Sequence, residues 1–99
     1  MDVAVKGDVI EVLVDSDADD LKYRLSRSGR ANGYVLDLPG QWILPRGMKM
    51  TRDFSTTNVA QLRMGLHPDY FRVVFSLRDG TAGPPTVERQ GGGLRIVAK

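Results

Sequence analysis

Ninety-nine residues amount to one domain, long enough to bury a core without covalent staples. The absence of cysteine excludes disulfides and thiolate metal sites while leaving the compartment open. Fourteen Lys and Arg against 12 Asp and Glu leave a formal charge of +2, too small a surplus to imply bulk nucleic-acid binding.

No apolar run approaches the ~20 residues that a membrane helix needs, so no direct membrane insertion is expected. The opening MDVAVKGDVI lacks a charged region followed by an apolar stretch, the pattern of a signal peptide. Together with an end straight after a strand-like run, this start suits a single module, residues 1–99, cut from a longer protein.

Taken in order, residues 3–5 form a short apolar run that Lys6-Gly7-Asp8 ends with turn residues. Residues 9–14, VIEVLV, are apolar on both faces apart from Glu11, which predicts a central strand. The acidic DSDADD of residues 15–20 reads as a solvated turn, because a calcium loop needs a glycine and a distal Glu at fixed spacing. In residues 21–27 Leu21, Tyr23 and Leu25 alternate with Lys22, Arg24 and Ser26. A polar connection through Asn32-Gly33, both tolerant of positive φ, leads to residues 34–38, with Tyr34, Leu36 and Leu38 on one face and Val35 and Asp37 on the other.

Pro39-Gly40 stops that strand. Residues 41–45, QWILP, carry the only Trp, and Ile43 and Leu44 beside it suggest local burial, so Trp42 is expected as a core or rim anchor rather than a sugar platform. Residues 48–50 alternate again, and 53–58 form a loop.

Residues 59–77, VAQLRMGLHPDYFRVVFSL, are the part around which the chain is organised. Two alternating runs flank a break at His67-Pro68-Asp69, which predicts a hairpin. Ala60, Leu62, Met64 and Leu66 share one face with Phe71, Val73, Phe75 and Leu77. Val59, Gln61, Arg63 and Gly65 are expected opposite, with Tyr70, Arg72, Val74 and Ser76. A turn-rich connection over 78–85, a short polar strand over 86–90, a glycine turn and a final strand over 94–98 complete the chain.

No helical period is sustained anywhere. About eight short strands with turn signals between them predict an all-β fold, a sandwich of two small β-sheets.

Chemistry is sparse. His67 is the sole histidine and reads as part of a turn, which removes a serine triad and makes a zinc site unexpected. Gly91 to Gly93 precede a strand rather than a helix, so they form no phosphate cradle. The expectation is a protein that is not an enzyme and uses no cofactor or metal. Binding is the remaining role. Arg63 and Arg72 on the non-core face of the hairpin, with Arg24 and Lys49 at polar positions elsewhere, are the candidate ligand-binding residues, since a strand-borne guanidinium offers a planar fork to carboxylates or phosphates. Arg30 and Arg95 occupy further polar positions.

The succession of YVLDLPG, then VAQLRMGLHPDYFRVVFSL, then LRIVAK resembles the AMIN domain, a bacterial cell-envelope module, over residues 9–99. The matching pieces are Asp37-Leu38-Pro39, residues 59–63 with Gly65, and Arg72-Val73-Val74 with Phe75 and Leu77. Gly33 stands where the family often carries a basic residue, with Arg30 the nearest stand-in. What the resemblance implies is a non-catalytic, periplasmic targeting module that tethers an attached amidase or a secretin to peptidoglycan. Docking of an envelope or secretion protein by strand addition at the polar strand over 86–90 is the alternative.

Overall fold

The computed structural model describes residues 2–16, 21–44 and 46–99. Among these, nine strands form two antiparallel sheets and no helix occurs. The strands are β1 (Asp2–Lys6), β2 (Val9–Asp15), β3 (Arg24–Ser28), β4 (Gly33–Pro39), β5 (Thr51–Asp53), β6 (Val59–Leu66), β7 (Tyr70–Leu77), β8 (Thr86–Gln90) and β9 (Gly93–Ala98). A four-stranded sheet runs β1-β2-β9-β8, and a five-stranded sheet runs β3-β4-β7-β6-β5. This is the expected two-sheet sandwich.

The core lies between the sheets and follows from period-two alternation. Ile10, Val12 and Val14 of β2 and Leu94, Ile96 and Ala98 of β9 supply one side. Leu36 and Leu38 of β4, Leu62 and Met64 of β6, and Phe71, Val73, Phe75 and Leu77 of β7 supply the other. The interior place of β2 explains its near-continuous apolar run. Glu11, the one polar residue within residues 9–14, points out of the sandwich but is only 5% exposed.

Glycine matters at two close approaches. A Cβ on Gly33 would sit 1.9 Å from the Phe75 carbonyl oxygen, and one on Gly93 1.8 Å from that of Val14. In the expected Asn-Gly turn only Asn32 uses positive φ, at 53°. Gly33 is already the first residue of β4, and its requirement is space against β7 rather than turn geometry.

Several expectations need correction. Val59 is fully buried rather than on the outer face, because the β6–β7 register shifts between Val59 and Gln61. Hydrogen bonds at the base of the hairpin flank this bulge: Arg78 donates from its guanidinium to the carbonyls of Thr57 and Phe54, and Asn58 exchanges bonds with Asp79. Leu66, at the turn end of the same stripe, is 49% exposed, although Phe71 opposite it is fully buried.

Residues 41–44 form no strand. Ile43 is 96% exposed, while Leu44 and Trp42 pack against the core. Trp42 is a rim anchor, its indole donating to the Leu38 carbonyl at 3.0 Å. The alternating piece at 48–50 is also coil, and the strand begins after it, at Thr51. Likewise β3 begins at Arg24 rather than Leu21. Residues 17–20 of the acidic turn, and Pro45, lie outside the described residues.

Candidate functional site: the outer face of the five-stranded sheet

Strand register places the outer face in rows across the sheet. One row runs Arg24, Asp37, Arg72, Gly65 through β3, β4, β7 and β6. The next runs Ser26, Val35, Val74, Arg63, Thr51 and reaches β5. Three of the proposed cations, Arg24, Arg63 and Arg72, therefore share one surface, although they come from three different strands. With strands about 4.8 Å apart, Arg24 and Arg63 stand three strand spacings from one another across the sheet, roughly 14 Å, and one row apart along it.

The three are not equivalent. Arg72 faces Asp37 on the neighbouring strand and grips it with two parallel bonds, Nε to Oδ1 at 2.8 Å and Nη2 to Oδ2 at 3.0 Å. That hydrogen bonding to Asp37 holds the guanidinium pKa above its ordinary value, against the opposing effect of burial. The Arg72 guanidinium also lies over the Tyr70 ring, 5.2 Å from its centroid, and the His67 imidazole stacks on that ring at 4.3 Å. His67 closes the hairpin through its backbone, donating to the Tyr70 carbonyl at 2.9 Å, which gives it the turn role expected of it.

Arg63 has Thr51 and Val74 as cross-strand neighbours, and neither offers a carboxylate. Arg24 is beside Asp37, but both oxygens of that carboxylate already accept from Arg72. Among the described residues, the side chains of Arg63 and Arg24 have no hydrogen-bond or ion-pair partner, and both residues are exposed. Asp53, the other acid of this face, accepts from the Gln61 amide at 3.0 Å.

The opposite face of the sandwich resolves its charges differently. Lys6, Glu11, Arg95 and Glu88 form an alternating chain across the four-stranded sheet, with contacts of 3.2, 2.8 and 3.3 Å in that order. Each cation there meets an acid, so Arg95 is a structural partner of Glu11 rather than a free ligand group. Among the described residues, the guanidinium forks with nothing to hold on a sheet face are those of the five-stranded sheet.

The remaining candidates lie elsewhere. Lys49 is not on a strand; it lines a groove of about 390 Å³ at the β1 and β5 edges, together with Met48, Met64 and Arg52. Arg52 closes the back of that groove by donating to the Val3 carbonyl at 3.2 Å. Arg30 is in the turn between β3 and β4.

The bracing of Arg72 by Asp37 is what sequence reasoning missed. The alternation put both at outward positions, but their contact depends on β4 pairing with β7, a neighbour 35 residues away that no local pattern encodes.

Comparison with known proteins returned no match: no family model, no curated protein and no solved structure is significantly similar to this chain.

Proposed function

We propose that this chain is a non-catalytic binding module whose five-stranded sheet holds a carboxylate-bearing polymer of the cell envelope, peptidoglycan, and so tethers an attached amidase or secretin in the periplasm. The observation that carries the reading is the contrast between the two faces. One pairs its charges internally, while the other leaves Arg24 and Arg63 open on either side of a rigidly braced Arg72. Unpaired guanidinium groups on a flat, exposed sheet suit repeated carboxylates spaced along an extended polymer. The peptide stems of peptidoglycan carry such groups, and the AMIN-like order of short motifs supports the same ligand.

Arg72 contributes shape and field more than a free fork, because Asp37 already accepts from the Nε and Nη2 edge of its guanidinium. Arg63 and Arg24 make the direct contacts. Retention on purified sacculi tests this: the unmodified chain is pulled down, and Arg24→Ala/Arg63→Ala is retained several-fold less. Amidation of the stem carboxylates on the sacculi has the same effect. Equal retention of the double variant removes the assignment of this face.

A further inference from the structure

Residues 21–36 carry four cations, Lys22, Arg24, Arg27 and Arg30, and no acid. The fold sets this segment at the margin of the five-stranded sheet, where β3 pairs with β4 on one side only. Such an edge presents a row of backbone donors and acceptors that another extended chain can complete.

The four sheet edges differ in how they are blunted. β5 has only three residues. The Val3 carbonyl of β1 already accepts from Arg52. β8, the edge that its polar sequence first suggests for docking, brings the acid Glu88, which is tied to Arg95, and sends Arg89 to the Leu21 carbonyl. β3 keeps five residues, and among the described residues its backbone pairs with no strand but β4. Its inner side is prepared: Arg27 is held over the Tyr34 ring and donates to the Gly80 carbonyl, and Tyr23 just before the strand is 41% exposed.

We propose that β3 is a docking edge for an acidic, extended peptide of another protein, which adds to the five-stranded sheet as a sixth strand. Charge complementarity selects the occupant. A carboxylate opposite Arg24 lies on the outer face, and an apolar side chain opposite Leu25 rests beside Tyr23. Further acids at the two ends meet Lys22 and Arg30. A second copy of this chain is the wrong partner, since two β3 strands would set cations against cations. This site shares Arg24 with the peptidoglycan reading but does not rest on it.

Nuclear magnetic resonance titration of the whole chain tests the proposal, with a short peptide alternating Glu with Val and Thr as the probe. Shift changes centred on residues 22–30, with slowed exchange of β3 amides, are expected. The same peptide N-methylated at alternate residues keeps its charge but loses the ladder, and it should fail to bind. Lys22→Glu/Arg30→Glu, which changes two exposed side chains, should weaken the peptide about tenfold or more while leaving retention on sacculi unchanged. Absence of binding overturns the proposal, as does equal binding of the N-methylated peptide. Equal binding of single-stranded DNA of the same net charge, or shifts centred on β8, overturns it too. None of these outcomes alters the sacculus experiment, so the two readings fall separately.

Discussion

Glu11 is where pH acts on this fold. Its carboxylate is almost fully enclosed on the outer side of β2, and its pKa is lowered chiefly by the hydrogen bond from Lys6, with Arg95 adding to the effect against partial desolvation. A group depressed in the folded state contributes stability above its unfolded pKa and loses that contribution as pH falls through the folded value. The loss therefore begins near pH 4.5, the ordinary value for Glu, and deepens below it. Asp79, lowered by the Thr81 hydroxyl and then by the Thr81 amide, acts in the same direction. Thermal melts between neutral and strongly acid pH should show the wild type losing stability steeply. Glu11→Gln should be less stable at neutral pH, with a shallower acid limb whose remainder is due to Asp79 and other acids.

At the scale of elements, strand β7 of the hairpin was legible to the residue. Strict alternation over Tyr70–Leu77 leaves a single way to bury Phe71, Val73, Phe75 and Leu77, and all four are in the core. What alternation cannot supply is pairing between distant strands or the small irregularities that end an element. The bulge at Val59 sits beside the contacts of Arg78, across the hairpin base, and β5 is too short to show a period. Ile43 misled for a related reason: an apolar residue beside a Trp suggests burial, but without a strand nothing forces it inward. The site was half legible in the same sense, for outward arginines could be read and the acid that braces one of them could not. A double-mutant cycle on Arg72→Ala and Asp37→Ala measures that brace. Both groups are partly exposed, so solvent screening keeps the coupling to about 0.5–1 kcal/mol despite the two-bond geometry. A coupling near zero would mean that Arg72 is as free as Arg63, and the distinction between the three arginines would vanish.

Across the whole molecule, each sheet is held together by sequence-distant pairings. β2 lies against β9, so that Ile10 sits opposite Ala98 and Leu13 opposite Arg95. Contacts of such long separation make the loop-closure cost high, which places folding in the millisecond-to-second range typical of all-β sandwiches. The same arrangement has a mechanical side. In the four-stranded sheet Asp2 aligns with Leu13 and Arg95 at one end, whereas Ala98 aligns with Ile10 and Val5 at the other. Force applied between positions 2 and 98 runs along the strands, so the ladder bonds of β1–β2 and β2–β9, which lie across the strands, share the load simultaneously. Force between positions 2 and 13, opposite one another, opens the β1–β2 ladder one bond at a time. The chain contains no cysteine, so cysteines introduced in pairs at those positions give unique handles for an optical trap. The first pair should rupture at clearly higher force than the second. A module strained along its strands is a shear joint, stiff under pull, and it yields only when a whole ladder slips together.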